Sequence, residues 1–258
     1  MWNIHKFTSL PSTNTYAREL LSQGNAKHGD VFQAEHQTAG RGRLNDRVWI
    51  DEPSNSLLMS IVLTEVYREF VQFASYVSAL CVCQSMRVLL SEVLPKFDPQ
   101  RLRIKWPNDI WLDGKKLAGV LAEALWGGWV SRGVVIGIGL NVNQREFGSE
   151  LETKATSLRS VTGVERGIDD VRDRILTALE TYVERSQTEP QGQFKAAILA
   201  ELRTELAWMA GHPPFSITQD DGSLQKGVSF VEIDDDGAIV VRDAAGNLNR
   251  YFAGFLHL

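Results

Sequence analysis

Two short segments of this 258-residue chain concentrate side chains able to handle anions. In Gly40-Arg41-Gly42-Arg43, glycine alternates with arginine. Glycine lets the main chain approach a ligand closely, unpaired N–H groups can bind an anion, and each guanidinium offers forked donors suited to carboxylate or phosphate. No Gly-Lys-Ser/Thr follows, so this is not a P-loop; a solvated basic turn is the other reading. Lys105-Trp106-Pro107-Asn108-Asp109 puts a lysine at the end of an alternating strand, just before a proline break. Arg101 and Arg103 share its face, and their mutual repulsion favours an anionic partner there. An exposed strand lysine is the alternative. Asn108 and Asp109 beside it supply short polar side chains that can bind locally. A third segment, Gly137-Ile138-Gly139-Leu140-Asn141-Val142-Asn143, has glycines inside a strand, which mark close approach by a ligand or another backbone. Asn141 can hydrogen-bond a base edge or cap a turn.

The elements that must carry these segments can be read from periodicity. A short strand is expected over residues 4–10, then a helix over 15–22 capped by Ser12 or Thr13 and stopped at Gly24-Asn25. Strands are expected at 30–35 and 56–63, with the polar glycine-rich stretch 37–47 between them as a loop. Residues 69–94 repeat apolar groups at helical spacing, and Cys81 and Cys83 are read as small apolar members of that helix. Strict alternation over 101–106 puts Leu102, Ile104 and Trp106 opposite the three cations. Pro107 interrupts that ladder and 110–112 resumes it, followed by the hairpin turn Asp113-Gly114. Strands at 117–125 and 134–142, joined through Gly127-Gly128, complete a meander beside helices, which indicates α+β rather than a doubly wound sheet. Helices are expected at 168–186 and 191–208. Beyond Gly211, short β segments (215–218, 228–233, 238–242, 249–255) alternate with turns, as in a small barrel. The expected division is 1–210 and 211–258.

Composition sets the outer bounds. The length is about 1.7 times a soft one-domain prior of roughly 150 residues, which suits one medium domain with a small appendix. Apolar residues make up 43% and charged residues 23%, which excludes disorder and fibrous repeats. The net charge of −5 argues against a basic surface that wraps nucleic acid. Residues 211–258 hold most of that excess, at −4, whereas 40–47 and 101–116 are locally +2 and +3. Two cysteines allow neither a disulfide framework nor a Cys₄ zinc site, and five scattered histidines lack metal-ligand spacing. Uninterrupted apolar runs fall well short of the roughly 20 residues that span a bilayer, and the N-terminus has no signal layout. A soluble protein of a reducing compartment, without nucleic-acid or membrane partners, is expected.

Taken in order, these segments resemble the biotin protein ligases. The resemblance is carried by Ser12-Thr13-Asn14, Gln37-Thr38-Ala39-Gly40-Arg41-Gly42-Arg43, Trp49, Lys105-Trp106-Pro107-Asn108-Asp109, Lys116-Leu117-Ala118-Gly119 and Gly137-Ile138-Gly139-Leu140-Asn141. Gly237-Ala238-Ile239-Val240-Val241 looks like that family's small C-terminal β-domain. The resemblance implies an α+β fold: a mixed or antiparallel sheet with flanking helices, of the class II synthetase-like kind, plus a small C-terminal SH3-like β-barrel. It implies a cytoplasmic ligase, monomer or homodimer, that uses ATP, Mg²⁺ and biotin; the Mg²⁺ ligands are left open, with Asp109 either a candidate or a structural partner of Lys105. Biotinyl-5′-AMP forms first; a lysine of a biotin carboxyl carrier domain then takes the biotin. The positions implied for biotin are Ser12, Thr13, Asn14, Gln37, Gly40, Arg41, Gly42, Arg43, Lys105 and Gly119. Those implied for ATP are Arg43, Trp49, Asn108 and Asn141, and Lys105, Arg41 and Arg43 are implied as catalytic.

The sequence departs from the family pattern in one loop, where Gly-Arg-Gly-Arg-x-Gly-Arg-x-Trp becomes Gly-Arg-Gly-Arg-Leu-Asn-Asp-Arg-Val-Trp. Asn45 and Asp46 tolerate left-handed backbone angles better than other non-glycine residues, which keeps the turn feasible; the role of Arg47 is open. Some family members carry an N-terminal helix-turn-helix, and with Ser-Thr-Asn starting at residue 12 none is expected here. Two other readings are a lipoate-type ligase and a non-catalytic biotin or nucleotide sensor.

Overall fold

Seven strands within the first 141 residues pair into one mixed sheet, and five later strands form a second, antiparallel sheet. The computed structural model describes residues 2–42, 48–128, 130–149, 151–190, 192–219 and 221–258. The first sheet contains β1 (Asn3–Leu10), β2 (Asp30–Gln37), β3 (Ser56–Leu63), β4 (Leu102–Lys105), β5 (Asp109–Leu112), β6 (Lys115–Gly127) and β7 (Val130–Asn141). Its order is β1-β2-β3-β7-β6-β5-β4, with β1 parallel to β2 and every other pair antiparallel. Ser-Leu-Leu-Met-Ser-Ile-Val-Leu in β3 is buried throughout, as expected of a central strand covered on both faces.

Helix α1 (Thr13–Ser22) covers one face, packing Ala17 and Leu21 against Phe32, Val62 and Val135. On the opposite face lies α2 (Arg68–Val93), flanked by α4 (Ile168–Thr188) and α5 (Gln193–Leu206). A short α3 (Leu158–Thr162) precedes α4. By length and composition α2 would cross a membrane, but it is mostly buried against these helices and the sheet, and so reads as a core helix. Its length matches the helical spacing over residues 69–94, while its unbroken apolar runs are short. Cys81 and Cys83 are buried here; burial first and a nearby glutamate second raise both thiols, Cys83 to about 12. Neither is a reactive thiolate at neutral pH.

The second sheet runs β11 (Leu248–Tyr251), β10 (Ile239–Arg242), β9 (Leu224–Ile233), β8 (Phe215–Thr218), β12 (Phe255–His257), in the small barrel-like form expected. It shares the core of the first. The Trp106 indole N–H donates to Tyr76 Oη at 3.0 Å, and Tyr76 Oη donates to the Gly237 carbonyl at 2.7 Å. Gly237 sits at φ +86, and a Cβ there would come 2.9 Å from Phe73 Cε1, so both its conformation and its closeness to α2 require glycine.

Three expectations need correcting. The ladder does not resume after Pro107; β4 and β5 are the two arms of a hairpin, because proline cannot continue the pairing. The stretch 249–255 is two strands, broken at Phe252–Gly254, where Gly254 takes φ +148. The expected 191–208 helix stops at Leu206 and tightens into a 3₁₀ turn, Ala207–Gly211.

Candidate active site

Glycines hollow out the α1 face of the sheet. Gly119 on β6 lies opposite Gly139 on β7, and Leu121 opposite Gly137. With no side chain at 119, 137 and 139 a trough of about 240 Å³ opens, lined by α1, β2, the loops around residues 41–50 and 147–155, and one residue of β12. Residues 137, 139 and 141 share a face, so at about 3.3 Å per residue β7 runs roughly 13 Å along its floor.

One end is a closed hydrogen-bond network at the start of α1. Ser12 caps the helix by accepting from the Thr15 N–H at 3.4 Å. The Thr13 N–H and Oγ1 both donate to Gln37 Oε1, at 2.8 and 3.1 Å. Ser60 Oγ donates to Asn14 Oδ1 at 2.6 Å and lies 2.8 Å from Thr13 Oγ1. Asn14 Nδ2 donates to the Leu121 carbonyl at 3.2 Å and to Glu123 Oε2 at 2.8 Å, which fixes its amide orientation. A Cβ at Gly137 would fall 2.8 Å from Asn14 Cγ, so Asn14 lies directly across that glycine. Arg41 enters at the rim, 3.3 Å from Glu123 Oε2.

The other end is aromatic and charged. The Trp49 ring lies over Gly139, where a Cβ would come 2.8 Å from Cε2. Its indole N–H is buried without an acceptor among the described residues, a group that a ligand oxygen or nitrogen would satisfy. Lys116 Nζ pairs with Asp109 Oδ1 at 2.7 Å and lies 5.7 Å from the Trp49 ring. Asn141 Nδ2 donates to the Thr156 carbonyl at 3.0 Å, and the Thr156 N–H donates to the Lys116 carbonyl at 2.9 Å, so loop 142–157 is tied to this end. Phe147, Leu151 and Ala155 of that loop supply apolar wall.

The structure thus brings Ser12, Thr13, Asn14, Gln37, Arg41, Gly42, Trp49, Asn108, Asp109, Gly119 and Asn141 onto one cavity. Gly40 stands just behind the rim, its carbonyl accepting from the Trp49 N–H at 3.1 Å. Arg43, with Leu44 to Arg47, lies outside the described residues. Lys105 is 5% exposed and is not on the wall itself; Nζ lies 4.4 Å from the centres of both the Trp111 and Phe255 rings, and it is Phe255 that faces the cavity. The three cations expected to share one anion part company. Arg101 forks onto Asp113 at 2.7 Å through both nitrogens, and Arg103 lies over Trp208 at 5.1 Å. Their common face is real, but the hairpin and the 3₁₀ turn supply each with its own partner.

Asn108 has a structural duty as well, donating to the Val120 carbonyl and accepting from the Val120 N–H at 2.9 Å. Sequence reasoning quoted Lys116 within the Lys116–Gly119 motif without giving it a role, and passed over Glu123 and Phe255. A charged residue within the apolar strand 117–125 was the available signal for Glu123, and none in the sequence pointed to Phe255.

Residues 6–141 match the family described as biotin/lipoate A/B protein ligases. The biotin–[acetyl-CoA-carboxylase] ligase of Paracoccus denitrificans is 30% identical over 246 residues, covering 92% of this chain and 94% of that protein. The bifunctional ligase/repressor BirA of Bacillus spizizenii is 35% identical over 174 residues, 66% of this chain; the matched stretch spans about half the length of that relative, 50%. A solved structure of the Aquifex aeolicus biotin protein ligase in complex with biotin and ATP superposes with a TM-score of 0.77, covering 99% of this chain and 97% of that one at 23% identity, a likeness of fold. With the family match extending over more than half of its length and the Paracoccus relative 30% identical over 92% of it, the chain belongs to the biotin/lipoate A/B protein ligase family.

Proposed function

We propose that the chain is an ATP-dependent biotin–carrier-protein ligase, which forms biotinyl-5′-AMP and transfers biotin to a specific lysine of a biotin carboxyl carrier domain. The observation that carries the reading is the cavity's division into an end of hydrogen-bonded polar side chains, with Glu123 and Arg41 at its rim, and an aromatic end that carries Lys116. Biotin presents a neutral ureido ring at one extremity and a carboxylate at the other, and the nucleotide adds an aromatic base and phosphates. The Ser12–Thr13–Asn14–Gln37 network suits the first, and Trp49, Lys116 and Arg41 suit the rest.

In the first step a biotin carboxylate oxygen attacks the α-phosphorus, a new P–O bond forms, and pyrophosphate leaves with the electrons of the broken bond. Two anions must meet, so the chain's contribution is positioning and cationic stabilisation of the charge building on the phosphate oxygens. Lys105 is the principal stabiliser in this reading, with Arg41 and Arg43. Phe255 stands between Lys105 and the cavity, so the ring must shift for Nζ to meet phosphate. In the second step the carrier lysine's neutral amine attacks the acyl carbonyl, and AMP departs. Mg²⁺ enters as the complex of ATP, since it is usually held by substrate phosphates plus one or two carboxylates. Asp109 is the carboxylate on the wall that could add to that set, and Lys116 already holds one of its oxygens. Residues 1–210 would hold both small substrates, with 211–258 contributing Phe255. A cytoplasmic site of action without nucleic-acid or membrane partners completes the proposal.

The test mixes the chain with biotin, Mg-ATP and a biotin carrier domain and probes the carrier with streptavidin. Labelled carrier is expected; none, with folded enzyme and a competent carrier, overturns the reading. Pyrophosphate exchange driven by lipoate rather than biotin would reassign the substrate, and biotin binding without exchange would indicate a sensor.

A further inference from the structure

Among the described residues, Glu123 is a carboxylate that touches both the floor and the rim of the Ser12–Asn14 end. Its Oε2 accepts from Asn14 Nδ2 at 2.8 Å and from an Arg41 terminal nitrogen at 3.3 Å, while Oε1 accepts from Arg18 at 2.7 Å. Arg18 belongs to α1 and Glu123 to β6, both fixed by packing, whereas Arg41 lies outside the strands and helices and is bridged to Val48. We propose that Glu123 is a positioning residue that parks Arg41 at the cavity mouth and yields it to an incoming anion, with Arg18 remaining as its counter-charge. This rests on the reading of the cavity as a site for an anionic nucleotide.

The asymmetry of the two ion pairs supports the exchange. The Arg18 contact is short, and the Arg41 contact is long and involves one nitrogen. Glu123 is largely shielded, its side chain 21% exposed, and stripping a shielded carboxylate of every partner is costly. Here, removing Arg41 leaves Glu123 with both Arg18 and Asn14, so release does not strand a charge. The Arg41 side chain is itself 40% exposed, and a pair that open shifts an equilibrium only about twofold to fivefold. Such a contact can hold Arg41 near the mouth and still lose it to a triphosphate, whose charge is several times larger.

Two substitutions separate a parking contact from a merely structural one. Trypsin must take the Arg41 guanidinium into its own pocket to cut after it, so the rate of that cut in ligand-free protein reports how often Glu123 lets go. Glu123→Gln should be cut after Arg41 about twofold to fivefold faster than wild type. Arg18→Gln, which leaves Glu123 more dependent on Arg41, should be cut more slowly by a similar factor. Mg-ATP affinity, measured by calorimetry, should tighten in Glu123→Gln and weaken in Arg18→Gln by matching factors. General loosening would accelerate cutting and weaken ATP in both variants, so shifts of the same sign overturn the proposal, as do unchanged rates. If the cutting rates move in opposite directions but the wild-type chain binds no ATP, the exchangeable contact stands and it is the nucleotide reading that fails.

Discussion

The two ends of the cavity are built on different principles. At the Ser12–Asn14 end every polar group discussed has a partner, and all of them stand on α1, β2, β3 or the strands of the floor. At the Trp49–Lys116 end the walls come from two loops and from β12 of the other sheet, and an indole N–H is left without an acceptor among the described residues. The first end is pre-organised for a rigid neutral group; the second is completed by what binds. Pre-organisation reduces the entropy lost on binding, whereas an incomplete end can close over a reactive anhydride and exclude water. A ligase that must retain one substrate and let another come and go needs both.

The largest expected effect lies at the open end. Lys105→Ala should lower biotin-dependent ATP–pyrophosphate exchange at saturating substrates about 10²–10³-fold, the loss typical of deleting one pre-organised charge-stabilising group. A rate near wild type would transfer that role to Lys116, which already faces the cavity. Next come two glycine substitutions that should split the ends. Gly137→Ala drives a methyl group into Asn14 and should weaken biotin binding about 10- to 100-fold, as overpacking of about 1–3 kcal/mol does, with ATP affinity largely kept. Gly139→Ala displaces the Trp49 ring instead and should raise the KM for ATP about 10-fold while sparing biotin. Calorimetry with each ligand alone decides; loss of both ligands in both variants would mean that the ends are not independent.

A smaller effect should fall outside both ends. Asp30 accepts from the Lys27 N–H, Asn3 and His5. Burial works to raise its pKa, but those hydrogen bonds and the His5 charge outweigh it and hold it below 3.8. A carboxyl lowered in the folded state adds stability that is present above its unfolded pKa and is lost as pH falls through the folded value. Asp30→Asn should therefore cost about 1–2 kcal/mol at pH 7, with the difference from wild type shrinking below about pH 4, as read by urea unfolding. Substrate affinities at pH 7 should not move. The smallest expected effect is at Cys81 and Cys83: an alkylating reagent at pH 8 should label neither in the folded chain, and both after denaturation.

How much of this was legible beforehand follows the same division. Strand and helix positions came through wherever one face is apolar, as in β3, α2 and β7, because burial imposes the period. Ser12, Thr13, Asn14 and Gln37 were recognisable because they sit at the ends of regular elements in short motifs. Lys105 was recognisable too, but not its screening by Phe255, since that contact spans 150 residues and two sheets. Lys116 stood in a quoted motif, but its place on the wall depends on a bulge that sets it opposite Trp111, and periodicity alone does not reveal a bulge. Glu123 broke an apolar strand and could have been flagged on that ground.

The glycine-lined strand β7 bears on how such a chain can change. Residues 137, 139 and 141 face the trough only because side chains alternate, and Ile136, Ile138 and Leu140 fill the core behind them for the same reason. Exchanging one side chain adjusts the trough locally. Inserting or deleting a single residue upstream within the strand would turn the isoleucines outward and bring asparagine and glycine into the core. The reading frame of that strand is therefore far less negotiable than the identity of any residue in it, and new ligand preferences would have to arise by substitution, never by changes in length there.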